Sequence, residues 1–314
     1  MTSTSQSLAA VETGSALQRH APAISLFIAI VAFSFAGVFL RLGIQAGVSP
    51  EVIAASRLLL SAIIVTPWVA TRYRHELTHL GRRELLFAAG AGVLVGIHFI
   101  LLIGSLKYTT VLLNQVIINT GPIWVAVLEV TLLKVRFKRG LWVGMGIALT
   151  GGLLSALSGL DGNTSVASDI PLGNLMALIA SIFGSGYMIL GRSVRQKVSL
   201  IPYIWVVYLC GGIAATGIVA LQGLPVTGFS PEGYLWIIAV TIVPQLIGHS
   251  LFNFALAYFP ATFVTLSGQV VSFTAGMLAY LLFAEVPSLL ELIGSGVIVA
   301  GVVWSISAQP AKPK

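Results

Sequence analysis

Ten apolar runs, each close to the roughly 20 residues that a helix needs to cross a hydrocarbon layer ~30 Å thick, fill most of this chain. They cover residues 23–44, 51–71, 84–106, 109–133, 139–158, 170–191, 200–221, 233–254, 260–282 and 287–307. A single segment of this length in lipid must satisfy its own backbone N–H and C=O groups, so each is read as a helix. Composition agrees: 57% of the 314 residues are hydrophobic and 9% are charged, against roughly 25% charged in a soluble domain. So few charges cannot cover a globular surface facing water. The expected fold is an all-α polytopic membrane protein with ten transmembrane helices.

The positions of Lys and Arg orient these runs. Arg19 lies before the first run, and Arg72, Arg74, Arg82 and Arg83 lie between the second and third. Lys134, Arg136, Lys138 and Arg139 follow the fourth, Arg192, Arg195 and Lys197 follow the sixth, and Lys312 and Lys314 follow the tenth. If the runs alternate in direction, these fourteen of the 17 basic residues share one side. The loop carrying Asp161 and Asp169 has no Lys or Arg and falls on the other. Both termini are therefore expected in the cytoplasm, joined by an even number of crossings. The net charge of +7 sits in short connections rather than on a basic face interleaved with aromatics, so nucleic acid is not an expected partner. Residues 1–22, rich in Ser, Thr, Gln and Ala, read as a disordered cytoplasmic tail. The first run is read as a retained helix rather than a cleaved signal peptide, since only Arg19 and His20 precede it as basic residues.

The chain repeats itself at a constant offset of 150. Leu106 and Tyr108 match Leu256 and Tyr258, and Gly144, Gly146 and Gly151 match Gly294, Gly296 and Gly301. Phe33, Leu40, Val48 and Ser49 match Phe183, Leu190, Val198 and Ser199. The division that follows is a first repeat at 23–158, a linker at 159–169 on the outer face, a second repeat at 170–307 and a cytoplasmic tail at 308–314. Five crossings per repeat is an odd number, so the two five-helix repeats are expected to be inverted in the bilayer, the arrangement behind alternating access in many carriers. The matched glycines predict that the fifth and tenth helices pack on one another. Gly92-x-x-x-Gly96 and Gly140-x-x-x-Gly144 are spacings that allow close helix approach.

Two stretches carry a family resemblance. Leu282 to Val302, with Glu285, Gly294, Gly296 and Gly301, resembles the end of an EamA domain. So does the first-half counterpart, from Gly104-Ser-Leu-Lys-Tyr108 through Pro122 to Gly151-Gly152. Nearly the whole chain after residue 22 is similar to EamA-domain transporters of the drug/metabolite transporter superfamily. That resemblance implies ten helices and a central cavity lined mainly by the first, third and fourth helices and their second-half partners. It also implies export or uptake of amino acids or other metabolites. One departure is that Glu285 has Val135 as its first-half equivalent.

Polar groups inside lipid are costly unless they face a partner, water or substrate. Asn119 and Gln269 occupy equivalent positions near mid-span, where two carboxamides can hold a polar solute or each other's helices. Asn119 precedes Gly121-Pro122, whose missing N–H can free a carbonyl for ligand. His98 and His249 lie one position out of register, and each is a candidate proton carrier or a packed histidine. Asn114 and Asn253 are weaker polar candidates. Glu129, well inside its run and about one turn from Lys134, is read either as half of an interfacial ion pair with that lysine or as a proton relay. Arg57 resembles an arginine often seen at this place in the family and is read as a structural charge; Arg41 and Lys107 are read as interfacial anchors. Phe33, Trp124, Phe183 and Tyr187 offer aromatic walls for an apolar portion of substrate.

Phosphorylated solutes need several buried Lys or Arg, which are nearly missing here. No P-loop is present, so ATP hydrolysis by this chain is not the energy source. The functional expectation is a secondary transporter, on balance an exporter, of a small neutral, zwitterionic or amphipathic metabolite such as an amino acid. It works through alternating access, with His98, Glu129 and His249 as candidate proton-coupling groups. The alternative is a membrane channel or a non-transporting, receptor-like scaffold. An enzyme is not expected: Gly184-Ser185-Gly186 and His249 suggest a serine–histidine pair, but Phe183 stands where such a motif wants glycine. Cys210 is alone, and neither a cofactor nor a metal is expected. The expected partners are a small-molecule solute and the lipid bilayer of a plasma membrane (bacterial inner membrane), with a homodimer left open.

Overall fold

The structure is a computed structural model that describes residues 16–105, 108, 109, 114, 117–157, 169–283 and 289–308. Lys107, Glu285, most of the tail before α1, the 159–168 linker and the last six residues lie outside the described residues. Helices α1 (Ala16–Gln45), α2 (Pro50–Trp68), α3 (Arg74–Thr78), α4 (Arg82–Ser105), α5 (Gly121–Leu132) and α6 (Arg139–Leu157) form the first half. The second half holds α7 (Ile170–Arg195), α8 (Leu200–Leu221), α9 (Pro231–Val240), α10 (Ser250–Ala255), α11 (Ala261–Ser267), α12 (Val270–Phe283) and α13 (Leu289–Ser307). Among the described residues there is no strand. Six helical segments, at 20–45, 50–78, 82–105, 171–195, 200–221 and 231–255, are long and apolar enough to cross a membrane. Four shorter apolar helices occupy Gly121–Leu132, Arg139–Leu154, Phe273–Leu282 and Leu292–Ser305. Large apolar side chains such as Phe27, Trp68, Leu86, Ile213 and Val303 stand exposed on the outer faces, as a lipid solvent permits.

Where sequence reading gave uninterrupted runs, the backbone adds detail. Helix α1 starts at Ala16, ahead of the expected residue 23, because Ala-Leu-Gln-Arg are good helix formers and Pro22 interrupts only one backbone bond. The run expected over 109–133 has a turn at Asn119-Thr120, before α5. There Thr120 N–H bonds Ile117 C=O at 3.1 Å and Ile123 N–H bonds Thr120 C=O at 2.9 Å, a tighter spacing imposed beside Pro122. The run over 260–282 breaks at the equivalent place, Gly268-Gln269, with Gln269 N–H to Leu266 C=O and Val271 N–H to Gly268 C=O both at 3.0 Å. A third departure is the wide π-helical stretch Thr241–His249 between α9 and α10, which contains Pro244. A short π turn, Val69–Tyr73, likewise joins α2 to α3.

Packing is unchanged in scheme when the halves are exchanged. α1 lies on α9, the π stretch and α10, while its counterpart α7 lies on α4. α1 also meets α12, and α7 meets α5. α4 on α8 is answered by the π stretch on α2, whereas α2·α8 and α6·α13 each pair counterpart with counterpart, and α5·α11 joins the two broken runs 109–133 and 260–282. The expected contact between the matched glycine helices is present and reciprocal. A Cβ on Gly144 would come 2.6 Å from Gly301 O, and one on Gly301 would come 2.6 Å from Gly144 O. Gly92 lies as closely on α8, 2.5 Å from Val207 O by the same measure. Backbones in such contact gain dispersion that any side chain would prevent.

Candidate functional site

Five elements deliver polar side chains to one buried cluster. Arg57, on the second turn of α2, donates Nε–H to Gln245 Oε1 at 2.6 Å, and its Cζ lies 4.2 Å from the Phe99 ring centre. Gln245 stands in the π stretch just after Pro244, and its carbonyl accepts from the Tyr208 hydroxyl of α8 at 3.3 Å. Tyr208 also lies 3.0 Å from Ser250 Oγ. The His249 ring sits between aromatic faces, 4.3 Å from Phe33 and 5.4 Å from Phe99, with Tyr187 at 6.4 Å. Tyr187 donates to Asn253 Oδ1 at 2.7 Å, and Asn253 Nδ2–H donates to the His249 carbonyl at 2.8 Å. Three buried polar atoms here have no hydrogen-bond partner among the described residues: Arg57 Nη2, Gln245 Nε2 and His249 Nε2. Buried polar atoms are rarely left so, and each such atom asks for an explanation.

A second constellation ties the halves together where α5 and α7 end and α11 begins. Both Glu129 oxygens accept backbone N–H, Oε1 from Ala261 at 2.8 Å and Oε2 from Thr262 at 2.9 Å. These are orphan donors of the first turn of α11, where the helix dipole also favours a carboxylate. Arg192 of α7 closes the ion pair at 3.2 Å and donates to the Phe259 carbonyl. Arg195 donates to the carbonyls of Asn253, at 3.0 Å, and Val198. The partner of Glu129 is thus Arg192 and not Lys134, as the sequence suggested. Lys134 stands at a left-handed φ of 55° just past the end of α5.

Residues 21–157 and, separately, 171–307 match the EamA-like transporter family. The chain belongs to that family. This EamA transporter is a multi-pass membrane protein, consistent with the drug/metabolite transporter superfamily, whose partners are a small-molecule solute and lipid. It is 28% identical to the uncharacterized transporter YdfC of Bacillus subtilis (strain 168) over 90% of this chain and 89% of that one. With an uncharacterized transporter of Archaeoglobus fulgidus it shares 23% identity, over 90% and 97% of the two chains. A protein of known crystal structure has the same fold, with a TM-score of 0.76 at 16% identity over 92% of this chain and 97% of that one.

The structure distributes the sequence candidates of this EamA transporter over several settings. His249, Tyr187, Phe33 and Asn253 belong to the central cluster. His98 borders it through Phe99, 5.1 Å away, but its Nδ1 is 2.7 Å from the Ala180 carbonyl and its ring rests over Gly184. Asn119 and Gln269 sit at the two matched helix breaks, Asn119 buried against Gly152 and Gln269 half-buried. Trp124, half-buried one turn into α5, donates to Thr120 Oγ1 at 3.0 Å, and Phe183 is half-buried on α7. Asn114 is held at the end of α4 by the Leu102 carbonyl and Ser105 Oγ. Ser185 donates to the Ser181 and Gly121 carbonyls at 2.8 and 3.2 Å. Sequence reasoning passed over Gln245 and Tyr208 and treated Arg57 as structural. The available clue was Pro244-Gln245 inside an apolar run, a proline beside a carboxamide of the same kind noticed at Asn119 and Pro122.

Proposed function

We propose that this EamA transporter is a ten-crossing secondary carrier whose repeats, 23–158 and 170–307, are inverted and exchange roles in alternating access. Both termini lie in the cytoplasm. The solute is a small zwitterionic or amphipathic metabolite such as an amino acid, moved outward across the plasma membrane, with a proton as the candidate coupling ion. The observation that carries this reading is the Glu129 clasp. It joins repeat to repeat at one end by a buried ion pair and two backbone hydrogen bonds, the kind of contact that a bundle opening at alternate ends must make and break. The Lys and Arg distribution puts that end on the cytoplasmic side. The matched breaks at Asn119-Thr120 and Gly268-Gln269 support it too, since discontinuous helices at membrane depth form binding sites in many carriers.

Flux in proteoliposomes tests the reading. Amino acids of several classes are loaded inside, and uptake of tracer outside is followed with and without an imposed pH gradient. Saturating uptake accelerated by internal solute (counterflow) is the expected result. A conductance that neither saturates nor shows counterflow would make the protein a channel. Absence of flux for every solute class would leave a scaffold.

A further inference from the structure

We propose that Arg57, Gln245 and His249 form a binding site for a carboxylate, so that the transported solute carries one; this rests on the carrier reading above. Three observations converge. Arg57 is a buried guanidinium whose contacts among the described residues are a carboxamide oxygen and an aromatic face, neither of them a carboxylate. Its Nη2 is unfilled, and two further buried nitrogens of the same cluster, Gln245 Nε2 and His249 Nε2, are unfilled as well. All three unfilled atoms can present hydrogen to an acceptor, the histidine in its Nε2–H tautomer or as the cation.

An anion is the ligand that satisfies such a set. A cation out of water needs a partner charge, and a planar carboxylate matches the guanidinium fork as neutral acceptors do not. The walls define the rest of the molecule. Phe33, Phe99 and Tyr187 surround His249, so the group attached to the carboxylate is apolar or aromatic rather than a second anion. Gln245 has a dual role: its oxygen fixes Arg57 at 2.6 Å, and its nitrogen remains for the ligand. The π stretch makes this geometry available, since a wide turn beside Pro244 displaces Gln245 and His249 from the register of a regular helix.

The test uses full-length protein in detergent and in proteoliposomes, with phenylalanine, leucine, phenylacetate and 2-oxo acids as probes. Phenylalaninamide and phenylethylamine serve as matched compounds without the carboxylate. Thermal stabilisation and counterflow by acids but not by their amides is expected. Arg57→Lys should weaken acid binding at least tenfold. The decisive variant is Gln245→Glu, which gives Arg57 an internal carboxylate and so keeps the buried cation satisfied. It should fold, as judged by monodisperse elution and a Tm at or above that of the parent protein, yet lose acid binding by tenfold or more. Equal binding of acid and amide, or undiminished acid binding by a folded Gln245→Glu, overturns the proposal. Counterflow of amines alone would refute the carboxylate site while leaving the carrier reading intact. Lack of flux for every probe would instead strike at the carrier reading itself.

Discussion

Residues 82–105 and 231–255 occupy equivalent places in the two repeats, yet only the second carries the polar cluster. Helix α4 is regular, with Leu94, Val95 and Phe99 at the positions matched by Pro244, Gln245 and His249. Its counterpart is α-helical, then π-helical over Thr241–His249, then α-helical again. Arg57 has Val207 as its equivalent, and Glu129 has Ala279. The repeats therefore share the surfaces on which helices pack, and differ in where charge and hydrogen-bonding groups are placed. Shape is common to both halves because both must build the same bundle. Chemistry is divided between them because the buried polar cluster and the clasp each use a single set of groups.

The strongest challenge to this division is to make the halves alike at the clasp. Glu129→Ala supplies the residue found at the equivalent position in the second repeat. Glu129 is 0% exposed and Arg192 15% exposed, so the loss strands a largely buried cation and two helix-terminal N–H groups. The expected cost is about 3–5 kcal/mol, the range for breaking a buried pair from one side. Thermal and denaturant unfolding in detergent measures it. A Tm unchanged from that of the parent protein would mean that the clasp does not hold the halves together.

Next in size is Gln245→Val, which gives the π stretch the residue of α4. Arg57 Nε loses its acceptor, and hydrogen bonds to charged groups contribute about 1.5–3 kcal/mol. The variant should be less stable by that amount. Stability equal to the parent would show that water serves Arg57 as well as Gln245 does.

These two sites also mark what the sequence made legible. The packing frame was readable because it repeats: Gly144, Gly151, Gly294 and Gly301 recur in register, and close contact between their helices follows from the absence of side chains. Asn119 and Gln269 stand out as a matched pair for the same reason, but both runs read as uninterrupted, and only Pro122 beside the first pointed to a freed backbone group. The clasp was not readable. Glu129 reaches α11 132 residues away and α7 63 residues away, whereas sequence proximity offers only Lys134. The Arg57–Gln245 bond spans 188 residues and joins positions that are not equivalent in the repeat, so the offset of 150 that exposed the glycines conceals it.

Shared surfaces should fail equally. Gly144→Ala and Gly301→Ala each place a Cβ 2.6 Å from the facing glycine carbonyl oxygen, and overpacking of this kind costs about 1–3 kcal/mol. The two variants should lower the Tm by similar amounts, since each Cβ would press on backbone of the same α6–α13 contact, Ser305 N at 2.7 Å for Gly144 and Ala148 N at 2.4 Å for Gly301. A large loss in one and none in the other would show that α6 and α13 do not bear equally on their interface.

The smallest effect comes from a contact with the same separation as the clasp. Lys197 Nζ lies 3.2 Å from Glu84 Oε1, the same separation as Arg192 from Glu129. Lys197 is 63% exposed and Glu84 22%; the pair joins the start of α4 to the turn after α7, beside the Ser199 N–H that Glu76 accepts at 2.8 Å. Water and salt screen such charges, and the long lysine chain loses entropy to hold the pose. Lys197→Ala should leave the Tm unchanged at physiological salt. A drop approaching that of Glu129→Ala would mean that distance, rather than burial and bond saturation, sets the strength of these pairs, and the contrast between the clasp and the surface would be lost.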